Sequence, residues 1–137
     1  MTMTASPHFI YIEDDEMSRS VMDILLKKVL GFSNVTIFDN SADCVQKMTA
    51  LSDPPDVLFV DIQIQPHDGF EVLRQVRAEP RYAGLKVIAM TANVMSHDVD
   101  HLKKAGFSGL IGKPIMQDVF PQLVKTILAG DAVWFVP

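Results

Sequence analysis

Residues 57–61 read Val57-Leu58-Phe59-Val60-Asp61, four apolar side chains in a row closed by a carboxylate. A run this short, apolar at every position and β-branched at both ends of the apolar part, predicts a strand buried on both faces. Similar runs recur at Phe9–Ile12, Val35–Phe38, Val87–Met90 and Gly109–Ile111. Between them the apolar spacing becomes helical. Met17, Val21, Ile24 and Leu25 form one predicted face, Phe70, Leu73 and Val76 another, and Met116, Phe120, Leu123, Val124 and Ile127 a last one.

The helix ends are marked as well. Lys27 and Lys28 precede Gly31, and Lys103 and Lys104 precede Gly106: cations in a last turn, then a residue free to turn left-handed. Gly130 closes the final helix in the same way. Asp68 with Glu71 predicts a capped start for the third helix, and Ser41 or Asn40 a capped start for the second, which Asp53-Pro54-Pro55 stops. Strand and helix thus alternate five times. That predicts an α/β fold with a five-stranded parallel sheet, helices on both faces and right-handed crossovers. Asp131–Pro137 lie outside the alternation, although Val133-Trp134-Phe135-Val136 is apolar for a chain end.

Composition narrows the function classes. A length of 137 residues suits one core, and 48% hydrophobic content excludes a disordered chain. A net charge of −5 argues against a sequence-independent grip on nucleic acid. One cysteine, Cys44, permits no intrachain disulfide, fits a reducing compartment, and is expected as a packed helix residue. The opening MTMTASPH has no basic region followed by an apolar stretch, so no secretory leader is expected. No apolar run approaches the ~20 residues of a membrane helix, and a cytoplasmic protein is expected.

In an open parallel sheet, ligands bind at the carboxyl ends of the strands. Those ends carry Glu13-Asp14-Asp15 after the first strand, Asp61 after the third, Thr91 after the fourth and Lys113-Pro114 after the fifth. Each type suits one task. Glu13, Asp14 and Asp61 offer the hard oxygens that Mg²⁺ takes alongside water and phosphate. A carboxylate such as Asp61 can carry a phosphoryl group as an acyl phosphate. Lys113 can hold a phosphoryl oxygen as a point charge, and Thr91 can donate a hydrogen bond to another. Singly, an acidic run is usually a solvated turn or helix start, and a lone strand-end Asp, Thr or Lys is usually structural. Their conjunction in one alternating framework is what points to a site.

The four motifs Ile12-Glu13-Asp14-Asp15, Val60-Asp61-Ile62 with Asp68-Gly69, Met90-Thr91-Ala92 and Gly112-Lys113-Pro114 resemble those of response-regulator receiver domains. The resemblance spans residues 8–129, leaving 130–137 as a C-terminal tail. It implies a flavodoxin-like three-layer α/β/α sandwich with strand order 2-1-3-4-5. It implies that Asp61 accepts a phosphoryl group from a sensor histidine kinase or a histidine phosphotransfer protein. It further implies Mg²⁺ (with Mn²⁺ as a substitute) on Asp14, Asp61 and the Gln63 backbone carbonyl, Glu13 acting through water, and a cis peptide before Pro114. Asp15 is not part of the implied site and is expected to face solvent. Such a domain takes part in its own phosphorylation and dephosphorylation without being a dedicated enzyme.

The chain departs from the family's pattern at Leu110, where a Tyr or Phe is usual. It departs again at Ile64-Gln65, where Met-Pro is usual and Pro66 comes one position later. Burying a leucine is worth ~1.5–3 kcal/mol, so Leu110 is expected to stay packed and any response to phosphate to concentrate at residues 93–98. The sequence alone assigns Gly112 no role. No DNA-reading helix pair follows the fifth helix, so the expectation is either a stand-alone regulator with a downstream protein target or a piece of a larger chain such as a hybrid kinase, without direct nucleic-acid or membrane binding; a homodimer is compatible. Two other readings compete. One is a degenerate receiver that only docks. The other is an aspartyl-phosphate phosphatase of the haloacid dehalogenase class, which needs a second acid where Gln63 stands. His97 and His101 have metal-clip spacing but no third ligand, and His67 lies near the site without an assigned task.

Overall fold

The computed structural model describes residues 6–96 and 99–137. Its centre is a fully parallel sheet with strands β1 (Phe9–Ile12), β2 (Val35–Phe38), β3 (Val57–Asp61), β4 (Lys86–Thr91), β5 (Gly109–Gly112) and β6 (Trp134–Phe135). The order is β2-β1-β3-β4-β5-β6. The expected 2-1-3-4-5 order is present, with one correction: the sheet has six strands, because the tail pairs with β5 through Leu110↔Trp134 and Ile111↔Phe135. The apolar segment beyond the alternation supplies an edge strand.

Helices α1 (Glu16–Ile24), α2 (Cys44–Thr49), α3 (Gly69–Ala78), α4 (Val99–Ala105) and α5 (Phe120–Leu128) cover the sheet. Alternate strand residues feed two cores. Ile10, Ile12, Leu58, Val60, Val87, Ala89 and Leu110 meet α2, α3 and α4 on one face. Phe9, Tyr11, Val57, Phe59, Ile88, Met90 and Ile111 meet α1 and α5 on the other. Every residue of β3 is buried, as the opening run requires of a central strand.

Two helix expectations need correction. Of the expected face Leu25 is buried, but Met17 is 75% exposed and Ile24 is exposed as well; in α1 Met22 is buried instead, and Leu26 just beyond it. The helix also loosens into a π-helical turn at Leu25–Val29, with Leu30 N donating to Leu25 O. The second helix does not start at Ser41 or Asn40 but follows Asp43, whose φ is 52°. Ser41 is buried instead, its hydroxyl donating to His67 O at 2.6 Å and accepting from His67 N at 2.8 Å. Asp68 does cap α3, accepting from Glu71 N at 2.9 Å. Gly31, Gly106 and Gly130 close their helices with φ of 79°, 107° and 96°. Cys44 is buried on α2, with its Sγ donating to Gln75 Oε1 and burial pushing its thiol up.

Candidate phosphoryl and metal site

Four neighbouring strands end at one place. Glu13 follows β1, Asp61 closes β3, Thr91 closes β4 and Lys113 follows β5. Parallel pairing keeps these ends level, and Lys113 N donating to Thr91 O at 2.8 Å carries the alignment one residue past β5. Lys113 Nζ then reaches across the sheet end, donating to Glu13 Oε1 at 2.7 Å and Asp61 Oδ2 at 3.2 Å. All three side chains are sheltered, at 14% exposure for Lys113, 8% for Asp61 and 0% for Glu13. Asp14, beside them, is exposed.

Oxygens of Glu13, Asp14 and Asp61 lie within 4.8 Å of one another. Three carboxylates facing one ammonium leave an excess of negative charge, and hard oxygens this close suit a small divalent cation. The charge is uneven. Burial, followed by the neighbouring Glu13 carboxylate, pushes Asp61 up to about 6. Burial also raises Glu13, but hydrogen bonds from Asp61, Lys113 and Tyr11 outweigh it and hold that carboxyl below its ordinary value. Lys113 is lowered by burial yet raised further by the two carboxylates, so it stays a cation.

The loop after Asp61 is held from three sides. Gln63 N donates to Asp61 Oδ1 at 3.0 Å, which orients the carboxylate. Gly69 N donates to Ile62 O at 2.9 Å, and a Cβ on Gly69 would stand 2.8 Å from Ile62 Cα, so only glycine lets α3 come this close. Ser41 anchors the far side through His67 and by donating its N–H to Gln65 O. Within this loop Gln65–Pro66 is cis, and Lys113–Pro114 is cis as expected. Thr91 is buried, and its Oγ1 accepts from Asn93 N at 3.0 Å, inside its own loop.

The structure therefore brings together Glu13, Asp14, Asp61, Thr91 and Lys113, with Gln63 on the adjoining loop. Asp15 stays out of the cluster, exposed, as the N-cap of α1. Leu110 is fully buried. His101 packs edge-on against Phe70, while His97 lies outside the described residues. Tyr11, which the motifs do not include, donates its hydroxyl to Glu13 Oε1 at 2.7 Å. A tyrosine inside an apolar strand reads as core filling. The signal was its place two residues before Glu13, on the same side of the strand.

A strand-end carboxylate with its own lysine, a hydroxyl on the next strand and two further acids thus meet at one end of the sheet. Comparison with known proteins supplies the class. The response regulator receiver domain family matches residues 9–125, and the chain belongs to that family, as a receiver domain in two-component signalling. It is 29% identical over 120 residues to hybrid signal transduction histidine kinase L of Dictyostelium discoideum, covering 85% of this chain and 7% of that protein. It is 33% identical over 78 residues to the polar-differentiation response regulator DivK of Brucella ovis, covering 57% of this chain and 63% of that one. The chain thus spans less than two thirds of either relative. Among solved structures, the signal receiver domain of a DNA-binding response regulator from Colwellia psychrerythraea superposes with a TM-score of 0.78 at 23% identity, covering 90% of this chain and 98% of that one. The chemotaxis response regulator CheY4 of Vibrio cholerae gives 0.76 at 18% identity, covering 91% and 98%. Both likenesses are of fold.

Proposed function

We propose that Asp61 is the phosphoryl acceptor of a phosphorelay. The observation that carries this reading is the Lys113 ammonium bridging Glu13 and Asp61 beside three convergent carboxylates. The donor is a phosphohistidine on a sensor kinase or a histidine phosphotransfer protein. An Asp61 carboxylate oxygen attacks phosphorus, the P–N bond breaks, and the imidazole leaves with its electron pair, giving an acyl phosphate. Water later hydrolyses that acyl phosphate, so the domain is a transient carrier with no diffusible substrate of its own.

Each neighbour has a task in that step. Lys113 neutralises a phosphoryl oxygen from a position it already holds. Thr91 donates its hydroxyl to another. The Gln63 N–H orients the Asp61 carboxylate. Mg²⁺ or Mn²⁺, held by Asp14, Asp61 and the Gln63 carbonyl with Glu13 acting through water, would supply the positive charge that lets an anion approach these acids. Output passes to a protein target in the cytoplasm without direct nucleic-acid contact. No helix among the described residues is long and apolar enough to cross a membrane.

Incubation with Mg²⁺ and acetyl phosphate, followed by peptide mass mapping, tests the reading. A single added phosphoryl group on Asp61, lost in Asp61→Asn, is expected. Uptake by Asp61→Asn at the wild-type rate, or none by the unaltered chain, would overturn it, the latter in favour of a domain that only docks.

A further inference from the structure

Two glycines of β5 leave room for the tail and for nothing larger. A Cβ on Gly109 would stand 2.6 Å from Val133 O, and one on Gly112 would stand 2.6 Å from Pro137 Cδ and 3.4 Å from Phe135 O. In that space Leu110 N donates to Val133 O at 2.8 Å, Val133 is buried, and Trp134 packs on the α4 side of the sheet. Lys103 of α4 places its ammonium 5.1 Å from the Trp134 ring centre. The seat is specific but shallow. Only two residue pairs join β6 to β5, against five for β3 and β4. An edge this short opens at the low end of the stability range.

The tail and the Thr91 loop approach the same glycine. The point a Gly112 Cβ would occupy is 3.1 Å from Val94 Cγ2 as well as 2.6 Å from Pro137, so Val94 and the tail close over the same glycine. Val94 and Trp134 pack against one core. Val94 follows Asn93, whose N–H is held by Thr91 Oγ1 at 3.0 Å. A Thr91 hydroxyl turned toward a group on Asp61 would give up that bond and free the loop that carries Val94 to shift over Gly112.

We propose that residues 133–137 are an internal ligand of the β5 edge and the α4 face, seated while Asp61 is free and released when it is charged. This rests on Asp61 being the phosphoryl acceptor. Leu110 stays buried throughout, and Trp134, the chain's single tryptophan, is the aromatic side chain that changes surroundings. Coupling between sites is reciprocal, so weakening the tail's seat must tighten binding at Asp61.

The full chain supplies its own probe. Acrylamide quenching of Trp134 is measured with Mg²⁺ alone and with Mg²⁺ plus fluoroberyllate, an acyl-phosphate mimic, and calorimetry gives the fluoroberyllate affinity. Quenching is expected to rise on fluoroberyllate binding. Gly109→Ala, which crowds Val133, should be readily quenched already and should bind fluoroberyllate about fivefold or more tightly. A chain ending at Gly130 should show the same gain in affinity. Bound fluoroberyllate with unchanged Trp134 quenching would overturn the proposal whatever the variants do, as would wild-type affinity in both. Absence of fluoroberyllate binding by the full chain would instead remove the acceptor reading beneath it.

Discussion

At the amino ends of the strands His8 is buried, and each of its polar atoms has a partner. Its backbone N–H donates to Asp56 Oδ2 at 2.8 Å, its Nδ1 lies 3.0 Å from Asp53 O, and its Nε2 lies 2.8 Å from Thr36 Oγ1. At the carboxyl ends Glu13 and Asp61 are buried too, but they share one lysine and crowd a third acid. Both poles satisfy their hydrogen bonds; among the described residues no buried side-chain polar atom lacks a partner. They differ in where the charge sits. The carboxylates of the amino pole, Asp53 and Asp56, are open to solvent, whereas Glu13 and Asp61 at the carboxyl pole are buried against each other and one ammonium. Hydrogen-bond satisfaction alone does not separate a structural polar cluster from a candidate functional one; the burial of like charges does.

Substitutions at the two poles should therefore give opposite signatures. The largest effect is expected for Lys113→Met, which removes the cation between Glu13 and Asp61. Phosphorylation by acetyl phosphate should slow on the order of 100-fold, the loss typical of a removed transition-state donor. A rate within threefold of wild type would end the comparison, since the buried charge would then do nothing. His8→Ala should cost about 2–3 kcal/mol in urea unfolding, from the lost volume and from stranded partners at Asp53 and Thr36. The phosphorylation rate of the folded fraction should not change.

Asp61→Asn sharpens the contrast through pH. A folded-state value of about 6, against an ordinary 3.8, means that the folded chain holds this proton more tightly than the unfolded chain does. The resulting stabilisation is full below the ordinary value and is lost as the pH rises through about 6. Glu13, held below its ordinary value, acts in the opposite sense at lower pH, so about pH 5 to 7 is the window that isolates Asp61. Metal-free wild-type protein should lose stability across it. Asp61→Asn should be flat there and about 1–2 kcal/mol more stable at pH 7.5, a full conversion of the shift being discounted for relaxation. Parallel melting curves for the two proteins across that range would contradict the assignment.

The acids, the threonine and the lysine were legible because the strand ends were legible, and the strands were legible because β3 and its neighbours are apolar throughout. Features that depend on contacts distant in sequence were not. Ser41 and His67 are 26 residues apart, so the anchor of the Asp61 loop looked like a helix cap. In α1 two apolar stripes overlap, Met17-Val21-Ile24 and Met22-Leu25-Leu26, and spacing alone does not say which faces the sheet. A two-residue β6 has no periodicity to read; its traces are the apolar run at Val133–Val136 and the glycines Gly109 and Gly112, whose close approaches appear once the chain is folded.

The smallest effect is expected at Tyr11, the residue the sequence hid. Tyr11→Phe removes one of the donors to Glu13 and leaves Lys113 in place. A cost of about 1 kcal/mol in unfolding and a fall in phosphorylation rate of less than tenfold are expected. A loss as deep as that of Lys113→Met would mean that the phenol, and not the ammonium, governs the carboxyl pole.

The burial of Cys44 has a practical consequence. Its thiol is enclosed beneath α2, engaged with Gln75 and held in its protonated form by burial, so alkylating reagents have neither access nor a thiolate to attack. The wild-type chain is accordingly a silent background for site-specific labelling. A cysteine introduced at Met95, which is almost wholly exposed on the loop after Thr91, would take a dye or spin label by itself, without removal of the native cysteine.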